Sequence, residues 1–315
     1  MANIIFTVNC VLPVFLVILI GYFLKRFGLM KQSFADNASD LVFWLFLPAM
    51  IFRQISAVDP STLQGFEKTA LVGGLSVTVH FLLLTVIFNK VIKDPLSRGA
   101  FIQGSFRCNY ALIGVPLAIN LFGSEGAVKS AVMLAVTMPF FNIYAVITLS
   151  LNSGNGEKIS IPKMLLKILK NPYIIAIILG LIFSFFTIPV PEVIGKTLDY
   201  MASTATPLAL LTIGAFLNVS DVKNNIKLAL SASLIKTVAI PLICLPLVLL
   251  AGFRGTDLGV LFILYTAPAS VTSFIMAKGM KSDASLAANI IVISTALSCF
   301  TVFIGVLLLK NFGFI

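Results

Sequence analysis

Arg107, Asn109 and Tyr110 stand inside an otherwise apolar stretch, GSFRCNYALIGVPLAINLFG, that runs from Gly104 to Gly123. A guanidinium offers a carboxylate a two-pronged fork, and an amide adds neutral hydrogen bonds, so these residue types suit the holding of an anion. The same arginine could instead stretch back to a polar interface, being close along the chain to Arg98. Cys108 sits between the two polar residues, and Gly114 and Pro116 follow as helix breakers. A second polar, broken stretch, LYTAPASVTSFIMAKGMKSDA, carries Thr266, Pro268, Ala269, Ser270, Thr272 and Ser273. Covalent or metal chemistry has few groups to work with. The chain has one histidine, His80, and its four cysteines (Cys10, Cys108, Cys244, Cys299) have no metal-ligand spacing. There is no facing carboxylate pair and no Walker loop, so no cofactor, no metal site and no enzyme are expected.

What must position these residues is a membrane-embedded chain. Of its 315 residues 59% are hydrophobic and 11% are charged, against about 25% charged for a soluble domain. Ten apolar segments follow one another at 5–24, 41–55, 70–88, 101–122, 128–149, 173–188, 200–217, 228–250, 258–276 and 286–309. About 20 apolar residues cross the hydrocarbon core. The first segment lacks a basic leader and an A-x-A site, so it reads as a retained span. Fourteen Lys and Arg follow odd-numbered segments, and six lie on the other side. Positive-inside then sets the odd loops in the cytoplasm and both termini outside, in a cytoplasmic membrane. The net charge of +10 is accounted for in this way, and no nucleic acid partner is expected.

The two halves of the chain look alike. WLFLPAMIF in segment two and STATPLALL in segment seven each carry a mid-segment proline, Pro48 and Pro207. Segments four and nine are the two broken ones. The expected fold is therefore an all-α integral membrane protein of ten transmembrane helices in two inverted five-helix repeats, residues 1–150 and 172–315, joined by a short cytoplasmic linker at 151–171. Breaks are expected at Gly114 and Pro116 and at Pro268. Inverted repeats with matching broken helices point to a secondary transporter. The half-helices that start at the breaks would bring their positive N-terminal ends together, which favours an anion there.

These residues carry a family resemblance. NYALIGVPL (109–117), APASVTSFIMAK (267–278), PLALLTIGAFL (207–217) and LPAMIF (47–52) resemble the span-four, span-nine, span-seven and span-two motifs of the auxin efflux carrier family, in its short bacterial form. The resemblance covers essentially the whole chain. It implies a fold similar to bile-acid symporters and sodium/proton antiporters, with helices 1, 2, 6 and 7 as scaffold and homodimer contact. Helices 3–5 and 8–10 would form a moving transport domain. It implies organic carboxylates as substrates, auxin-like or malate- and malonate-like. It makes Asn109 a carboxylate contact and sets Tyr144 beside the pocket. Plant members have a proline where this chain has Cys108.

His80 and Lys236 lie mid-segment, and charge there is costly enough to be a functional hypothesis by default. Lys236 could supply the positive charge that sodium supplies in relatives, or its stem could pack in protein while the amine bonds carbonyls. His80 could titrate in a proton-coupled cycle, or be a hydrogen-bonded structural residue. With Arg107, Cys108, Asn109, Tyr110, Tyr144, Pro268, Ala269, Ser270 and Thr272 around the site, the expectation is a carrier of an organic anion working by alternating access. The alternative is a cation or proton antiporter of the same architecture, against which the lack of deep carboxylates counts.

Overall fold

The computed structural model describes residues 13, 16–57, 66–152, 166, 169–216 and 219–315. Most of the expected first segment's N-terminal half, Cys10 and most of the expected linker lie outside the described residues. The described elements are all helical: α1 (16–26), α2 (Gln32–Ser56), α3 (Glu67–Val91), α4 (Pro95–Phe106), α5 (Val115–Leu151), α6 (Pro172–Phe185), α7 (Glu192–Phe216), α8 (219–250), α9 (Gly255–Thr266), α10 (Thr272–Gly279) and α11 (Ala284–Asn311). Five are long and apolar enough to cross a membrane: α2, α3, α8, α11 and residues Leu117–Leu151 of α5. At 1.5 Å per residue even a 25-residue helix exceeds the hydrocarbon thickness of about 30 Å. α6 and α9 are shorter apolar helices.

Local sequence sets the ends. Asp94 caps α4 by accepting the Ser97 N–H at 2.8 Å, with Pro95 in the first turn. Asp283 accepts the Leu286 N–H at 2.8 Å and starts α11. α5 turns sharply at Gly123, whose φ of 62° is open to a residue without a Cβ, so its limbs 115–122 and 124–151 run in different directions.

Two helices stop in the interior of the fold. α9 ends at Thr266 because the proline at 268 drives Ala267 out of the helical region, to ψ 140°. α4 ends at Phe106, with Arg107 at ψ 140°. The two unwound stretches meet there: the Asn109 N–H donates to Pro268 O at 2.7 Å. This differs from the sequence expectation, which put the break of segment four at Gly114 and Pro116. The chain unwinds at 107–109, a few residues earlier, and Gly114 closes a π turn, Tyr110–Gly114. Pro116 then enters the first turn of α5, where the amide it lacks is not needed. The same device recurs. π turns at Val42–Phe46 and Ile235–Ala239 each end two residues before a proline, Pro48 and Pro241. The wider turn opens space for a ring that would clash with a regular α turn.

Four seams hold the helices. α1 and α7 touch backbone to backbone: a Cβ at Gly21 would run into Leu211 O, and one at Gly214 into Ile18 O. α2 and α7 share a two-pronged ion pair, with Arg53 Nε on Asp199 Oδ1 at 2.7 Å and Nη2 on Oδ2 at 2.9 Å. α5 and α9 are joined by Lys129, 2.8 Å from Glu125 and 2.6 Å from Asp257. α10 meets α2 and α7 through Lys278, which pairs with Asp36 at 2.5 Å and lies 3.5 Å above the Phe216 ring. Phe43 covers Gly279 on that seam.

Candidate functional site

A cavity of about 190 Å³ opens beside the point where the two unwound stretches meet. The first stretch contributes Arg107, Cys108, Asn109, Tyr110 and Ala111, and the second contributes Ser270, Val271 and Thr272. α2 supplies Met50, Ile51 and Gln54, α7 supplies Thr206, and α5 supplies Leu134, Met138, Phe141 and Asn142. Pockets for drug-sized ligands measure about 300–1,000 Å³, so the space suits a smaller molecule.

Arg107 is the charged group of this lining. Its side chain is 3% exposed, so it lies within the protein and does not reach back to an interface. Nη1 donates to Met276 Sδ at 2.8 Å, and Nη2 donates to Asn142 Oδ1 at 2.9 Å and to Thr272 Oγ1 at 2.7 Å. Nε is buried without a partner among the described residues. Every partner is neutral, and no Asp or Glu lines the cavity among the described residues. A buried charge is normally paired or fully hydrogen-bonded. This one is held in place by neutral groups and has no counter-charge among the described residues, so the lining offers the cavity a fixed positive charge.

The unwound backbone shapes the rest. Asn109 is 6% exposed, and its carbonyl accepts from the Ile113 and Gly114 amides at 3.2 and 3.4 Å, which closes the π turn under the cavity. The Tyr110 hydroxyl donates to Val260 O at 3.3 Å, and Gly114 passes under the Tyr110 ring where a Cβ would collide. Ser270 Oγ and Thr272 Oγ1 lie 2.9 Å apart. The Ala269 amide is taken by Ser294 Oγ at 3.0 Å. Ala269 and Pro268 belong to the crossing and are not among the described lining residues.

Three expected residues stand elsewhere. Tyr144 stacks on Phe81 with ring centroids 4.4 Å apart, and its hydroxyl meets Thr78 Oγ1 at 2.9 Å. His80 Nε2 lies 3.1 Å from Cys244 Sγ. Lys236, 2% exposed, donates to Leu264 O at 3.1 Å and Tyr265 O at 2.9 Å. Those carbonyls close the last turn of α9, the partly negative end of a helix cut short by the crossing. None of the three lines the cavity.

Sequence reasoning missed Asn142, Gln103 and Gln54. Asn142 holds Arg107, and the Gln103 Nε2 donates to Ser273 O at 3.0 Å, tying α4 to the second broken helix. Each is a buried or half-buried amide inside an apolar helix, and that was the signal available. Gln54 lines both this cavity and a second one of about 670 Å³, which also carries Arg53, Asp199, Ser203 and Thr206. The second cavity shares Met50, Gln54 and Thr206 with the first, and so forms a vestibule on one side of it. Among the described residues no group of three or more His, Cys, Asp or Glu could hold a metal ion.

Comparison with known proteins gives the broader context. The family described as "Membrane transport protein" matches residues 6–305. An uncharacterized transporter of Methanocaldococcus jannaschii is 27% identical over 92% of this chain and 94% of its own length. A Rhizobium meliloti protein named as a proposed malonate transporter is 23% identical over 68% of this chain and 67% of its own. Auxin efflux carrier component 5 of Arabidopsis thaliana is 21% identical over 86% of this chain and 87% of its own. With nearly its whole length matched and several of its helices built to cross a membrane, the chain belongs to the membrane transport protein family, that of the auxin efflux carriers.

Proposed function

We propose that the protein is a secondary transporter that carries a small organic anion across the cytoplasmic membrane by alternating access, with the substrate carboxylate at Arg107 and Asn109. The buried guanidinium without a counter-charge carries this reading. A carboxylate in the cavity would supply the missing counter-charge and gain a charge-assisted interaction with the guanidinium. The name of the Rhizobium meliloti relative supports a small acid. The cavity volume of about 190 Å³ supports the same, being below the range of about 300–1,000 Å³ for drug-sized ligands.

The chain forms two inverted repeats, with α4–α5 and α9–α10 as the crossing helices and both termini outside. The vestibule at Arg53 and Asp199 then faces outward, and Lys278 with Asp36 and Phe216 closes the cytoplasmic side. α1, α2, α6 and α7 act as the scaffold and contact a second copy, while the crossing helices and their neighbours move. Lys236 supplies a fixed positive charge at the cut end of α9. Moving one negative charge outward across an inside-negative membrane gains about 2.3 kcal/mol per 100 mV, so efflux proceeds without a coupling ion. A cation antiporter of this architecture is disfavoured by a lining that offers an arginine and no described carboxylate.

The test is counterflow in proteoliposomes at mildly acid pH, with labelled malonate, malate, lactate and indole acetate and a sodium control. The expected result is saturable exchange of a small acid that is lost in Arg107→Met and Asn109→Ala. Sodium or proton flux without exchange of any acid would transfer the protein to the antiporter reading.

A further inference from the structure

We infer that the vestibule holds a second, outer carboxylate subsite on Arg53, in which Asp199 stands as the built-in competitor of the incoming acid. The inference rests on the anion-carrier reading and adds to it a docking step before the inner cavity.

Arg53 and Asp199 are the charged residues of the vestibule's described lining, and the rest of that lining is neutral. Asp199 grips one side of the guanidinium, taking Nε at 2.7 Å and Nη2 at 2.9 Å. A guanidinium has five N–H donors in a rigid plane, so this grip leaves a second fork, made of Nη1 and the other Nη2 hydrogen. Nη1 has no partner among the described residues, and unlike Arg107 Nε it is not a buried atom. The two side chains are 27% and 54% exposed. An open fork of this kind fits a carboxylate lying in the plane of the guanidinium. The vestibule, of about 670 Å³, shares Met50, Gln54 and Thr206 with the inner cavity. An acid docked in it is next in line for Arg107.

Asp199 keeps the outer subsite weak. It cancels the charge of Arg53, and it repels a second carboxylate brought to the same guanidinium. Weakness there suits a carrier, because an acid held tightly at the mouth would not go on to the inner cavity. The pair also joins α2 to α7, and the two roles predict different mutants. If the pair is only a join, removing either partner breaks it, and both changes act alike. If Arg53 binds the acid and Asp199 competes with it, the two changes have opposite signs.

The experiment is counterflow of labelled malonate and, separately, labelled lactate into proteoliposomes, with half-saturation measured at ionic strengths of about 0.01 M and about 1 M. For an acid that exchanges, Asp199→Asn should lower half-saturation about fivefold at low salt, the worth of one partly exposed charge contact. Arg53→Gln should raise it by about as much. Asp199→Ser removes the same charge and should act like Asp199→Asn; a gain of this kind does not arise from a protein that folds poorly. The double variant should behave as Arg53→Gln alone. All these differences should shrink at high salt, where open charges are screened within about 3 Å. Asp199→Asn leaving half-saturation unchanged, or shifting it in the same direction as Arg53→Gln, with exchange still lost in Arg107→Met, would overturn the outer subsite and leave the anion carrier standing. Absence of saturable exchange of any acid by the native protein would overturn both.

Discussion

Lys236 and Arg107 are both buried cations at the same crossing, 2% and 3% exposed, and neither has a carboxylate partner. What differs is what each donates to. Lys236 meets two main-chain carbonyls at the cut end of α9, groups that are already partly negative and have no helical partner of their own. The lysine and the helix end complete each other. Arg107 meets two side-chain oxygens and a sulfur, leaves its Nε without a partner among the described residues, and lines a cavity. One buried charge closes off a helix end; the other is clamped by neutral side chains at the wall of a cavity.

The contrast is broken first at Arg107. Arg107→Met should lower the affinity for a transported acid by about 2–5 kcal/mol, a loss of roughly 30-fold or more. Its melting temperature in detergent should change little, since the removal of an uncompensated buried charge offsets the hydrogen bonds withdrawn from Asn142 and Thr272. The second effect runs the other way. Lys236→Met abandons two buried carbonyls at about 1–3 kcal/mol each, so the melting temperature should fall whether or not acid is present. A Lys236→Met protein that melts like the native one and has lost only transport would erase the distinction between the two cations. Lys278 sharpens it as a cation that does have a carboxylate. The Lys278–Asp36 pair is partly exposed, at 19% and 44% of the two side chains, and such pairs are worth about 1 kcal/mol at most. Lys278→Gln should therefore change half-saturation for an acid by no more than about fivefold, measured in the same vesicles.

Much of the fold was legible because a membrane span is written in composition and length. The apolar segments at 70–88 and 286–309 became α3 and α11, and the proline at 268 marked the end of α9 through its effect on Ala267. The break in segment four was misplaced because Pro116 was read as the cause of unwinding. The helix instead widens into a π turn ahead of that residue, and the unwinding falls where Asn109 finds a backbone partner on the other stretch of the crossing. That partner is 159 residues away in sequence, and no local pattern announces it. Arg107 stood out by type, but whether it would reach an interface or stay buried depended on Asn142 and Thr272, which come from two other elements. Tyr144 was assigned to the pocket by resemblance, and here it stacks on Phe81. Gln54 was passed over because it follows Arg53 near the end of an apolar run, where a polar side chain is ordinary.

The glycine contact between α1 and α7 has a mechanical consequence. With Gly21 against Leu211 O and Gly214 against Ile18 O, the two main chains are interlocked like teeth, and a slip of one residue would drive a methyl group into a carbonyl. These helices travel as one beam or stay still as one. A shear plane in this molecule has to run along a smoother surface, such as the aromatic faces where Phe43 lies over Gly279 and Phe216 lies beneath Lys278.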